Sequence, residues 1–159
     1  MASAAWIMSE AVRRIQGRTA MVYYGSDVFP TLKPGEHMPD VKVYTAPDGT
    51  EKFDRAATAL DGILDLTSGT GARMLVIVSD GYYVAEEQKK CREWLAKCAA
   101  TGVGVLWVGF GRSCESAERF CKNSGAVFVN GGKNPTEAAL AIGQAAAKAL
   151  TVAGAGNDR

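Results

Sequence analysis

Few side chains in this chain could do covalent or metal chemistry, and the cysteines come first. The four cysteines fall into two pairs seven residues apart, Cys91 with Cys98 and Cys114 with Cys121. A structural zinc site uses cysteines two to four residues apart on a tight turn. Residues seven apart instead share one face of a helix, two turns away from each other. The spacing therefore favours small apolar side chains packed inward, with a disulfide or a metal site as alternatives.

The residues that could support catalysis lack the partners they would need. The only histidine, His37, lies in a proline-rich stretch, whereas a catalytic triad would need it beside the nucleophile. Asp80 has no evident second carboxylate for paired acid–base chemistry. Gly109-Phe110-Gly111 begins like a dinucleotide fingerprint, but Cys114 stands at the third glycine position, far from the first strand–helix turn. We therefore predict a protein that is not an enzyme.

Composition excludes further classes of partner. The chain is 47% hydrophobic and 22% charged, with a net charge of +1 and no block of like charges. This argues against a broad surface for nucleic acid or for anionic membranes. No apolar run approaches the roughly 20 residues that a membrane span requires. Because the N-terminus has no basic region and Glu10 comes early, we expect no secretory signal and a cytoplasmic location.

Periodicity predicts the elements that would position these residues. Helical spacing predicts helices over 4–16, 53–64, 86–100, 113–123 and 134–150, and apolar runs predict strands over 19–24, 41–45, 74–78, 105–108 and 126–129. Residues 74–78 form the most apolar run, as expected for a central parallel strand covered on both faces. The alternation predicts a doubly wound, mostly parallel α/β sheet with helices on both faces. We expect one domain over residues 1–152 and a flexible tail over 153–159.

Two short sequences in this order of elements resemble the von Willebrand factor A family. They are Gly49-Thr50, which opens a predicted helix, and Ser79-Asp80-Gly81, which ends the most apolar strand. That family binds a divalent ion, usually magnesium, at the carboxyl edge of its sheet. Its ligands are an Asp-x-Ser-x-Ser motif after the first strand, a threonine before a middle helix and an aspartate after the fourth strand. The resemblance covers nearly the whole chain and implies Thr50 and Asp80 as partial metal ligands.

The first part of that ligand motif is missing. No Asp-x-Ser-x-Ser occurs in the sequence, and neither does the strand that precedes it in the family. Magnesium takes about six oxygen ligands. Thr50 and Asp80 supply two, so we expect weak or absent Mg²⁺ binding by this chain alone. Two plainer interpretations stay open: Thr50 as a helix N-cap, and Asp80-Gly81 as a turn.

The missing strand also affects the sheet. In the family it lies between the strands that match residues 19–24 and 74–78. The flanking strands could close up and pair directly, another chain could insert a strand, or an upstream segment could restore it. We expect direct pairing in this chain alone.

Interaction-type residues follow the predicted strands at the carboxyl edge, where open α/β sheets bind ligands. They are Ser26, Asp27, Tyr82, Tyr83, Phe110 and Arg112. Tyrosine and arginine are enriched at binding hot spots, although tyrosines here could instead cap the core. We predict a non-enzymatic module with an incomplete metal site that binds a protein partner. The alternative is a structural subunit, or half of a split domain, completed by a strand-donating chain or an oligomer.

Overall fold

The computed structural model describes residues 2–43, 50–111, 114–132, 139–140, 142–144, 146–147 and 151. The chain divides into two compact units. The first comprises Met1–Asp65 and Tyr83–Lys90, and the second comprises Leu66–Tyr82 and Cys91–Arg159.

The first unit combines helices with a two-stranded antiparallel sheet. Its elements are α1 (Ala2–Arg14), β1 (Met21–Tyr24), β2 (Val28–Leu32), α2 (Phe53–Leu64) and the start of α3 (Ala85–Ala100). In α1, the indole Nε1 of Trp6 donates a hydrogen bond to the carbonyl of Met38 at 3.0 Å. Helix α2 has the predicted bounds, and its buried face carries Phe53, Ala56 and Ala57.

Strands β1 and β2 form a hairpin that the sequence did not predict. Tyr24 lies opposite Val28 and Val22 opposite Pro30, with an irregularity between Met21 and Val22. Four of the five prolines lie between Pro30 and Asp48, which predicts a long connection with one short strand there. Strand β2 has β1 as its partner in this sheet, and an edge strand tolerates a proline. The strand predicted over 41–45 is not formed at residues 41–43, and residues 44 and 45 lie outside the described part.

The second unit contains a three-stranded parallel sheet, which confirms the mixed α/β class. Its strands are β3 (Met74–Ser79), β4 (Gly104–Gly109) and β5 (Val127–Asn130), in the order β3-β4-β5. Helix α3 connects β3 to β4, and α4 (Glu115–Lys122) connects β4 to β5. Every residue of β4 is buried, as expected for the middle strand of a parallel sheet.

The position of β3 differs from the prediction. Its apolar sequence predicted a central strand, but β3 lies at the edge of this sheet with β4 as its partner. Among the described residues, β1 and β3 belong to separate sheets. The expectation that these two strands pair directly is therefore wrong, and the parallel sheet is smaller than predicted.

The cysteines confirm the prediction of inward packing. All four are buried and none is part of a disulfide, and they lie on α3, on α4 and just before α4. The helix start predicted at residues 134–137 and the tail over 153–159 lie outside the described residues. Within the described part, no helix is long and apolar enough to cross a bilayer.

Candidate functional site

The loops after the three parallel strands begin side by side. The amide of Phe110 donates to the carbonyl of Ser79 at 3.0 Å, and the amide of Gly131 donates to the carbonyl of Gly109 at 2.8 Å. Both bonds extend the sheet ladder past the last residue of a strand. The residues that follow β3, β4 and β5 are therefore held in one row at the carboxyl edge, where open α/β sheets place their ligands.

The loop after β3 is fixed by its own side chains. The buried hydroxyl of Ser79 accepts a hydrogen bond from the amide of Gly81 at 2.9 Å. The Oδ1 atom of Asp80 accepts one from the amide of Tyr82 at 3.0 Å. Gly81 has a φ of 79°, a left-handed conformation that favours glycine. The turn interpretation of Asp80-Gly81 thus describes this loop, and the turn presents the exposed side chains of Asp80 and Tyr82.

The loop after β5 repeats this turn, and sequence reasoning missed it. The Oδ1 atom of Asn130 accepts a hydrogen bond from the amide of Gly132 at 3.0 Å. The half-buried ring of Phe110 lies against Gly131, where an added Cβ would stand 2.6 Å from the ring Cζ. Asn-Gly-Gly is a turn signal, so this loop could have been found from the sequence. Arg112, the other residue predicted after β4, lies outside the described residues.

Ser26, Asp27 and Thr50 lie in the first unit. The hydroxyls of Ser26 and Thr50 are 2.8 Å apart and share a hydrogen bond. The amide of Lys52 donates to the carbonyl of Gly25 at 2.8 Å, which joins the hairpin turn to the segment before α2. The N-cap of α2 is Lys52, without a side-chain cap bond, so the N-cap interpretation of Thr50 is wrong. Asp27 and Thr50 are exposed.

The two neighbouring tyrosines have opposite environments. Tyr83 is only 5% exposed. Its hydroxyl lies 2.9 Å from that of Tyr24, and its ring meets Phe53 edge-on with a 6.5 Å centroid separation. Tyr83 therefore caps the core of the first unit, as the alternative interpretation proposed. Tyr82 is 62% exposed. Of the two tyrosines, therefore, only Tyr82 is accessible for the predicted binding of a protein partner.

Thr50 and Asp80, which the family resemblance implies as partial metal ligands, each already make a hydrogen bond. The Thr50 hydroxyl is bonded to Ser26 and Asp80 Oδ1 to the Tyr82 amide. Within the described part of the chain, no three histidine, cysteine, aspartate or glutamate side chains gather into a metal-binding group.

The pKa values of Lys90, Glu10 and Cys121 are shifted in the direction that favours the ordinary charge state of each. A hydrogen bond from Lys90 to Asp54 at 3.2 Å raises the pKa of the lysine. A hydrogen bond from Arg13 at 2.8 Å lowers the pKa of Glu10, which also lies 3.1 Å from His37. Burial raises the pKa of the Cys121 thiol to about 12. The thiol is therefore protonated at neutral pH and is a poor nucleophile.

Comparison of the chain with protein-family models, curated proteins and solved structures gives no match. The resemblance to the von Willebrand factor A family therefore depends only on the residues and the order of elements given above.

Proposed function

We propose that this chain is a non-enzymatic protein-interaction module of the von Willebrand factor A type, which binds its partner through the loops at the carboxyl edge of the parallel sheet. The observation that carries the proposal is the exposure of Tyr82, 62%, beside the exposed Asp80. A turn with two side-chain hydrogen bonds holds both residues, so little conformational entropy would be lost on binding.

The chemistry of this edge favours a cationic group on the partner. Asp80 uses Oδ1 to fix the turn. Among the described residues, its Oδ2 accepts no hydrogen bond. An exposed carboxylate next to a tyrosine ring suits a lysine or an arginine, which can pair with the carboxylate and lie over the ring. Phe110, held against Gly131 in the neighbouring loop, adds apolar area. The proposal gives no role to a bound Mg²⁺.

Site-specific photo-crosslinking tests this proposal. A photoreactive phenylalanine at position 82 is expected to give a discrete protein adduct in an extract of the source cells, and the adduct should weaken in an Asp80→Asn background. Asparagine keeps the oxygen that accepts from the Tyr82 amide, so this substitution removes the charge and leaves the turn. The same photoreactive residue at Ile15, 72% exposed on the first unit, is the matched control. Equal adducts from both positions, or an adduct that ignores Asp80→Asn, would refute the proposal.

A second function is favoured by the position of β3. A strand without charge, proline or bulge lies at the edge of its sheet, although natural edge strands usually carry such protection. We propose as the second candidate a structural subunit, completed by a strand from another polypeptide. The first and second candidates use different parts of the same sheet, namely its carboxyl-end loops and its β3 edge.

A further inference from the structure

The hydrogen bonds of β3 show which of its residues face away from β4. The carbonyl of Arg73 accepts from the amide of Gly104 at 2.9 Å, and the carbonyl of Ser79 accepts from the amide of Phe110 at 3.0 Å. Along a parallel strand, alternate residues turn both backbone groups to the same neighbour. Arg73, Leu75, Ile77 and Ser79 thus face β4. Met74, Val76 and Val78 direct three amides and three carbonyls to the opposite edge.

That edge lacks a strand within the described residues, where β3 pairs with β4 alone. The side chains of Met74, Val76 and Val78 are half-buried on one face, and Leu75 and Ile77 are buried on the other. Strand β5 at the far edge is shorter, with four residues against six, and ends in a polar asparagine. Open backbone groups flanked by apolar side chains on both faces are what a further strand requires.

We infer that the edge of β3 pairs with β3 of a second copy of this chain, antiparallel about a two-fold axis at Val76. This inference rests on the second proposed function and names the other polypeptide. With Val76 opposite Val76 of the other copy, Met74 lies opposite Val78 and all three outward-facing residues are used. The register gives six backbone hydrogen bonds. If the axis instead passed through Leu75 or Ile77, only two pairs of outward-facing residues would lie opposite each other. That register would give four backbone hydrogen bonds.

Side chains fit the same register. In an antiparallel ladder, directly opposed residues lie on one face of the sheet. Val76 meets Val76 and Met74 meets Val78 on the half-buried face, while Leu75 meets Ile77 on the buried face. None of these pairs sets two charges against each other, and none buries a polar side chain.

Charge at the strand ends favours the antiparallel direction for two copies of this chain. The Arg73 guanidinium donates to the carbonyls of Gly71, Leu66 and Thr101 of its own chain, so its charge acts on the other copy without a direct ion pair. Arg73 directly precedes β3 and Asp80 directly follows it. Antiparallel pairing places Arg73 of one copy opposite Ser79 of the other, next to its Asp80, at both ends of the ladder. Parallel pairing of two copies would instead set like charges side by side and would not close into a dimer.

Charged substitutions at position 76 test this inference, because residue 76 of one copy lies opposite residue 76 of the other. Sedimentation equilibrium of the native chain is expected to give twice the 16.8 kDa chain mass. Val76→Lys and Val76→Glu should each give the single-chain mass at concentrations where the native chain is dimeric. An equimolar mixture should restore the doubled mass. Val127→Lys, which changes a half-buried valine of β5 at the opposite edge, should leave the dimer intact.

Three outcomes would overturn the inference: a native chain that stays monomeric, a dimer that survives both charged variants, and a mixture that fails to recover. If a charged variant loses its cooperative thermal transition, Val76→Cys decides instead. Hydrogen-bonded antiparallel pairs have Cα atoms about 5.5 Å apart, within disulfide range. Mild oxidation should therefore cross-link Val76→Cys into dimers and leave Val127→Cys uncross-linked, and the reverse result refutes the register. Photo-crosslinking at position 82 is measured independently of the dimer. A native chain that stays monomeric would therefore not contradict the proposal that the carboxyl-edge loops bind a partner.

Discussion

Replacing Gly109 by alanine should destabilise the second unit, because the end of β4 has no room for a methyl group. An added Cβ would stand 2.7 Å from the Cβ of Cys114 and 2.8 Å from Cε2 and Cζ of Phe128. Carbon atoms in contact prefer about 3.5–4.0 Å, so both neighbours must retreat by most of an ångström. Cys114 precedes α4 and Phe128 belongs to β5, which leaves the rigid sheet and helix to absorb the shift.

The size of the effect follows from two opposing contributions. Overpacking a filled core costs about 1–3 kcal/mol, and the loss of glycine's freedom in the unfolded chain offsets about 0.4–1 kcal/mol. Taken at their midpoints, the two contributions give a net loss of about 1.3 kcal/mol. Since 1 kcal/mol shifts the melting temperature of a chain of this size by about 2–4 °C, the melting temperature should fall by about 3–5 °C.

Urea denaturation followed by circular dichroism and by tryptophan fluorescence measures this loss, because Trp107 lies in β4. The matched control is Gly62→Ala in α2 of the first unit, where an added Cβ meets no atom within 4 Å. Alanine should stabilise that helix by about 0.5–1 kcal/mol. Equal stability of Gly109→Ala and the native chain would refute the packing described at the carboxyl edge. A gain in stability in Gly109→Ala as large as that in Gly62→Ala would refute this packing as well.

Asp80→Ala should be less stable than Asp80→Asn by about 1 kcal/mol in urea, because only asparagine keeps the acceptor for the Tyr82 amide; equal stabilities would contradict the turn. Glu10 has a folded pKa below its ordinary 4.5, so its contribution is complete above pH 4.5 and is lost as the pH falls through the folded pKa. Glu10→Gln should therefore lose less melting temperature than the native chain between pH 6 and pH 3, and parallel losses would argue against the Arg13 pair. The four buried thiols should resist a disulfide reagent in the native chain and all react in denaturant, whereas rapid native labelling would contradict their burial.

The sequence was most informative where periodicity alone decides the element. Helix α2 and strands β3 and β4 were predicted within two residues of their ends, since each carries an uninterrupted apolar pattern. Strand β2 was missed because Pro30 normally argues against a strand, and only the pairing with β1 shows that it lies at an edge. An apolar strand such as β3 reports burial of its two faces. It does not report how many neighbours it has, so its edge position could not be predicted.

The candidate site was predicted in part. Asp80 and Tyr82 were correctly placed after β3, and the turn that holds them follows from the residue types. The contrast between Tyr82 and Tyr83 could not be predicted, because it depends on the distant Tyr24 and Phe53 that enclose Tyr83. Asn130 and Gly131 carry a turn signal but no chemical motif, so only the hydrogen bond from Gly131 to Gly109 places them at the edge.

The pairing of two copies depends on β3 being an edge strand, and amide hydrogen exchange along β3 tests this most directly. Nuclear magnetic resonance of the native chain should show slow exchange at Leu75 and Ile77 at every protein concentration, because β4 holds these amides. Exchange at Met74, Val76 and Val78 should be fast in dilute protein and should slow as concentration rises and a second copy covers the edge. Slow exchange of all five amides at a concentration where sedimentation shows single chains would contradict the account, because it would mean that β3 already has two neighbours within one chain.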